Sequence, residues 1–259
     1  MEIVLLILAG VVVYYLYITL QEYLKNPISS GTRDTNTHST PEYDLSQDPY
    51  ILADPLEKIK KTEFGIMVSI MAKVVSKNKS LMKEVLIDEM FENMKNKING
   101  IENAKEKLRE VFGDKDSRTL EQLCKDFLQV TYGEYKKRLK FVEFLLSIAY
   151  AEGELDVQEK ENIIDVAAFL ELDNEGFNKI YDDFEIEFQT SIEMERTKAL
   201  EILGLQEDFT QEMLDKNFEE AIRNSNQNIL DPKYLNKSFA SMAYRRLHQI
   251  QFAYDKLHS

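Results

Sequence analysis

The chain has 259 residues, 46 acidic against 32 basic side chains, and a formal net charge of -14. That balance repels a phosphate backbone, and no basic stripe is long enough to overcome it, which argues against a nucleic-acid partner. One cysteine excludes an internal disulfide, while nine Gly, five Pro and an abundance of Lys, Glu, Leu and Met favour an almost entirely α-helical, ordinary globular composition over sheet.

Ile3 to Leu20, IVLLILAGVVVYYLYITL, carries no charge. Its helical length of roughly 27 Å nearly matches the ~30 Å hydrocarbon layer of a bilayer. Met1-Glu2 lacks the basic front of a signal peptide, and no small-x-small cleavage site follows, so residues 1–24 read as a single-pass anchor. Tyr14, Tyr15, Tyr17 and Tyr23 suit an interfacial belt. Lys25 and Arg33 follow the span whereas Glu2 precedes it, which places the remainder on the cytoplasmic side. Residues 25–54 are polar, interrupted by Pro27, Gly31, Pro41 and Pro49, and read as a flexible linker.

Helical periodicity then runs from Pro55 to Val75 and from Leu81 to Ile98, with shorter amphipathic segments at Ile101–Phe112 and Leu120–Val130. The central stretch is LKFVEFLLSIAYAEGELDVQEKENIIDVAAFLEL, residues 139–172. Leu139, Val142, Leu145, Leu146 and Ala149 make one apolar face, and Phe141, Phe144 and Ile148 a second, so this helix is expected to be buried on most sides. After Gly153, Asp156 stands as N-cap with Glu159 three residues on, a capping-box spacing, and Ile163, Ile164, Ala167 and Leu170 line the next inner face. Phe177, Ile180, Tyr181 and Phe184 mark one or two further helical turns, after which EIEFQTSIEMER reads as a seam.

A second unit follows the seam. KALEILGLQ is a short helix ending in a turn, and Met213, Leu214, Phe218, Ala221 and Ile222 define a helix from about Thr210 to Ser225. An exposed loop over 226–232 leads to a last helix on which Ala243, Leu247, Ile250, Tyr254 and Leu257 form a continuous seam.

Little in the sequence carries chemistry. Glu152, Glu154, Asp156 and Glu159 could make a weak cation site, but Val157 occupies the glycine position of an EF-hand and Ile163 its final glutamate, so helix capping and solvation explain the carboxylates better. His38, His248 and His258 are too scattered for a metal site or a triad, and no phosphate-cradling glycine motif occurs. Cys124 reads as a small buried hydrophobe. Neither a cofactor nor a resident metal is expected, and the chain does not read as an enzyme.

LSIAYAEGELDVQEKENIIDVAAFLEL resembles the TerB-like (tellurite-resistance) helical domain, a likeness that extends over roughly Leu56 to Asp183 and sets a domain at 55–185. ALEILGL, LDKNFEEAI and MAYRRLHQIQFAYDKL look like helices I, II and III of a J domain over residues 194–259. An anchor, a TerB-like domain and a J domain in this order resemble the DjlA-type membrane-anchored DnaJ-like proteins, which implies a bacterial inner-membrane location with cytoplasmic domains. Aligning Phe218 with the family's helix II aromatic puts Asn226, Gln227 and Asn228 where the family carries the His-Pro-Asp tripeptide that stimulates a DnaK-type chaperone. All three differ. Glu219 and Glu220 also stand where the family commonly has basic residues, leaving Arg223 on a face of altered sign.

The expected protein is therefore all-α, with a single N-terminal transmembrane helix, a TerB-like helical bundle and a C-terminal J-domain-like hairpin module. It would act as a membrane-anchored adaptor that meets protein partners at the membrane through the 226–228 loop and the Glu219, Glu220, Arg223 face, with residues 3–20 in the bilayer. The alternative is a DjlA-like cochaperone.

Overall fold

The computed structural model describes residues 54–258 except 76–79, 114–115, 153–154, 191 and 239–242, together with Tyr14, Leu16 and Tyr17, which are helical and exposed. Apart from those three, the anchor read over residues 1–24 lies outside the described residues, as does the linker apart from Asp54. Among the described residues, no helix is long and apolar enough to cross a membrane.

Residues Pro49–Ser259 form one compact unit. Its eleven described helices, with no strand among the described residues, are α1 (Pro55–Lys60), α2 (Glu63–Val74), α3 (Leu81–Lys95), α4 (Ala104–Gly113), α5 (Leu120–Val130), α6 (Tyr135–Ala149), α7 (Val157–Phe169), α8 (Asn174–Gln189), α9 (Arg196–Leu203), α10 (Gln211–Ser225) and α11 (Arg245–His258). Short 3-10 turns follow α6 at Tyr150–Glu152 and precede α11 at Pro232–Tyr234.

The periodicity from Pro55 to Val75 is two helices, not one. Thr62 N-caps the second by accepting from the Gly65 amide at 3.0 Å, so the chain turns between them. Gly65 sits so close to α1 that a Cβ there would lie 1.8 Å from the Ile59 carbonyl oxygen, which only glycine tolerates.

α6 is the central post. Phe141, Val142, Phe144, Leu145, Leu146, Ile148 and Ala149 are all buried, and so are Arg138, Lys140, Glu143 and Ser147 on the same helix. The polar groups are satisfied in place: Arg138 donates to the carbonyls of Thr131 and Leu170 at 2.9 and 3.1 Å, and Lys140 pairs with Glu143. α3, α7 and α8 pack around α6, while α2 meets α4, α5 and α7.

On α7, Val166 rather than Ile164 completes the inner face with Ile163 and Ala167; Ile164 is 42% exposed. Only the first part of the polar run after Phe184 is helical, and Thr190 and residues 192–195 connect α8 to α9. α8 continues into it as far as Gln189, Glu187 is buried against Arg245 of α11, and the Phe188 ring stacks with His248 at 6.0 Å. Tyr244 is 98% buried and packs its ring, tilted by 51°, 4.9 Å from that of Phe184, so the C-terminal helices share the core of the preceding bundle.

Among those helices, α9 and α10 both pack on α11. Gly204 ends α9 in a left-handed conformation (φ 62°), which lets its amide and that of Leu205 reach back to the carbonyls of Glu201 and Leu200. Leu214, Phe218 and Ile222 form the buried stripe of α10, and the Phe218 and Tyr254 rings lie 4.3 Å apart.

Candidate functional site

The C-terminal tip is seated, not exposed. α10 starts at Thr210, whose hydroxyl accepts from the Met213 amide at 3.3 Å, and delivers Arg223 in its last turn, where a cation complements the helix dipole. Arg223 reaches across to α3, pairing with Glu89 and, at 3.4 Å, with Asp88. Asp88 also receives Lys105 at 3.0 Å and Arg109, both from α4. Burial pushes the Asp88 carboxyl up, but hydrogen bonds from Lys105 and Arg109 outweigh it and hold the group below its ordinary range. A charge cluster thus ties α3, α4 and α10 together.

Beyond α10 the chain turns into the protein. Gln227 is 7% and Ile229 3% exposed. The Asn228 side chain accepts from the Leu230 amide at 3.0 Å, an Asx turn that spends its oxygen within the loop. The Leu230 carbonyl accepts from Lys97 Nζ at 2.8 Å, and farther along Lys136 donates to Asn236 and Lys140 to the Lys237 carbonyl. Three lysines from the preceding helical region therefore hold this segment. The sequence reading of an exposed tip at Asn226, Gln227 and Asn228 fails because Ile229 carries the loop into the core.

The face read from Glu219, Glu220 and Arg223 is also divided. Glu219 and Arg223 border a hollow of about 370 Å³ between α3, α4 and α10, floored by Val85, Phe91 and Phe112. Glu220 is exposed on the other side of α10, 4.0 Å from Lys216.

At the acidic corner, Asp156 caps α7, accepting from the amides of Gln158 and Glu159 at 2.8 and 3.1 Å. Glu159 turns inward, 3% exposed, and pairs with Lys83 of α3 at 3.4 Å, a long-range contact that its capping-box spacing did not disclose. Glu154 and the side chain of Glu152 lie outside the described residues. Among the described residues, no group of three or more His, Cys, Asp or Glu is arranged to hold a metal ion.

Cys124 is fully buried, and burial together with Asp165 pushes its thiol up to about 12. Burial lowers the His248 imidazole, which lies between the rings of Phe188, Tyr244 and Phe252. Neither group is a reactive centre: the thiol has no solvent access and the imidazole is built into an aromatic stack.

No curated protein and no solved structure matches the chain. The family model for "Tellurite resistance protein TerB" matches residues 71–182, from the second half of α2 into α8. That range contains α6, the Asp156 cap and the buried Lys83–Glu159 pair, and residues 71–182, helical with no strand among the described residues, are a TerB domain.

Proposed function

We propose that the protein is a membrane-anchored, cytoplasm-facing adaptor of the bacterial inner membrane, in which a TerB domain fused to a J-like module helps assemble a membrane-associated protein complex. The anchor rests on the apolar segment at residues 3–20. The observation that carries the adaptor reading is the seating of the C-terminal tip: Arg223 is committed to Glu89 and Asp88, and Gln227 and Ile229 are buried. A module whose presenting helix and tip are occupied within its own chain is suited to shaping a composite surface rather than to triggering a partner's turnover.

The test is site-specific photo-crosslinking from exposed positions of the TerB domain, such as Tyr132 and Ile164, in intact membranes. The adaptor reading expects a discrete adduct with a membrane-associated protein, and no adduct from any such position contradicts it. The competing reading is a DjlA-like cochaperone, favoured by the order of anchor, TerB domain and J-like helices. It requires the full chain to accelerate single-turnover ATP hydrolysis by its cognate DnaK-type chaperone, and an unchanged rate eliminates it.

A further inference from the structure

A second hollow, of about 380 Å³, lies where the end of α8 meets the start of α7, far in sequence from the C-terminal tip. Its wall carries three rings, Tyr150, Tyr181 and Phe188, with Leu155 and Val157 at the lip. A carboxylate stands among the rings: Glu185 Oε1 accepts from the hydroxyls of Tyr150 and of Tyr181, the latter at 3.0 Å, and Oε2 accepts from Gln189 at 3.1 Å. Hydrogen bonding from Tyr150 dominates over burial and keeps this carboxyl below its ordinary range, so it is ionised at neutral pH.

An ionised carboxylate offers about four acceptor sites, of which these hydrogen bonds use three, the third from the exposed Gln189. The Tyr181 ring already holds a cation. Lys160, an exposed residue of α7, places its ammonium 4.9 Å from the centre of the Tyr181 ring, within the range of a cation–π contact. The Tyr150 ring is buried and stacked on Phe184 and the Phe188 ring on His248, so the open ring face is that of Tyr181; beside it stands one anion, and a primary ammonium on a flexible stem occupies it, which is the chemistry of an ammonium receptor.

We propose that this hollow binds the ammonium group of a partner protein's lysine side chain, with Lys160 as the resident competitor that the incoming lysine displaces. Primary ammonium is selected over quaternary because the remaining acceptor site of Glu185 takes an N–H donor, which a quaternary nitrogen lacks. The Tyr181 ring alone would accept either cation. The net charge of -14 draws a basic partner segment towards the chain as a whole, and Glu185 is the anion that meets it in the hollow. The inference rests on the adaptor reading for the existence of a partner, but the hollow can be tested without one.

The experiment titrates the full chain with Nα-acetyl-lysine N-methylamide and follows the ring resonances of Tyr150 and Tyr181 by NMR, with the norleucine analogue and tetramethylammonium in parallel arms. Saturable shifts are expected with the lysine probe, none with the uncharged analogue, and weaker binding of tetramethylammonium. Lys160→Met should tighten the lysine probe about 3-fold or more by vacating the ring face, and Glu185→Gln should weaken it about 10-fold. Circular dichroism melts establish that each variant is folded; should Glu185→Gln not fold, the Lys160→Met and tetramethylammonium arms still decide. Absence of saturable shifts, equal binding of tetramethylammonium, or an affinity unmoved by either folded variant overturns the proposal. Failure of the crosslinking in membranes with success here would remove the adaptor reading and leave the receptor.

Discussion

Arg223, in the last turn of α10, forms an ion pair with Glu89 in the middle of α3, joining residues 134 positions apart. The pair is only partly buried, with 37% and 21% of the two side chains exposed, so its net contribution is modest even though its location is decisive. Arg223→Ala and Glu89→Ala should each lower stability by about 0.5–1 kcal/mol, and a double-mutant cycle should return a coupling of similar size that shrinks at high salt. Chemical denaturation at low and high ionic strength measures it.

A larger effect is expected at Lys83 and Glu159, each with 3% of its side chain exposed. Lys83→Met removes the ammonium facing a buried carboxylate and should cost about 3–5 kcal/mol, whereas Lys83→Met combined with Glu159→Leu should recover most of the loss. Equilibrium unfolding of the two variants gives the comparison. If the double variant is no better than the single one, the pair is not the reason these residues are charged.

Asp116 provides the acid-sensitive contact. Burial opposes ionisation there, but Arg118, bonded to it through side chain and backbone, overrides this and sets the carboxyl at about 2 against an ordinary 3.8, with a further hydrogen bond from Ser69 at 3.2 Å. Because the folded value is the lower one, the stabilisation is complete above about pH 4 and is lost as pH falls from there towards 2, amounting to about 1–2 kcal/mol. Asp116→Asn should flatten the stability profile across that interval and leave it unchanged in shape near neutrality. Urea titrations at stepped acidic pH provide the readout.

Cys124, fully buried with its thiol raised to about 12, should resist thiol-reactive disulfide reagents in the native protein and react at once on unfolding. The rate of colour release with and without denaturant reports this directly. A fast native reaction would show that α5 opens readily.

Much of the fold was legible because the signals were local. The two apolar faces of α6, the Asp156 cap and the spacing of Ala243, Leu247, Ile250 and Leu257 on or just before α11 all follow from residues within a few turns of one another. What escaped the reading depends on distant partners. The break at Thr62 is fixed by the approach of Gly65 to Ile59 in the neighbouring helix. Glu187 looked like part of a polar boundary because Arg245, which buries it, lies 58 residues on. Gln227 looked like an exposed tip residue because an amide side chain gives no hint that Ile229, two residues on, will be drawn into the core.

The candidate site divides the same way. The chemical difference at Asn226, Gln227 and Asn228 is visible in three letters, whereas the anchoring of that segment by Lys97, Lys136 and Lys140 is visible only in three dimensions. The ring-lined hollow around Glu185 joins residues from Tyr150 to Gln189 whose polar members read in sequence as ordinary solvated helix faces.

The central claim of the proposed function is that the C-terminal helices are committed to the chain's own core, so that placing His-Pro-Asp at the tip does not create a trigger. The direct measurement is single-turnover ATP hydrolysis by the cognate DnaK-type chaperone in the presence of the full chain carrying Asn226→His, Gln227→Pro and Asn228→Asp together. With folding verified, the expected result is the chaperone's unstimulated rate, because Arg223 still joins α10 to Glu89 and the tip still turns into the core. Acceleration by the triple variant, in the way a J domain accelerates its partner, would contradict it.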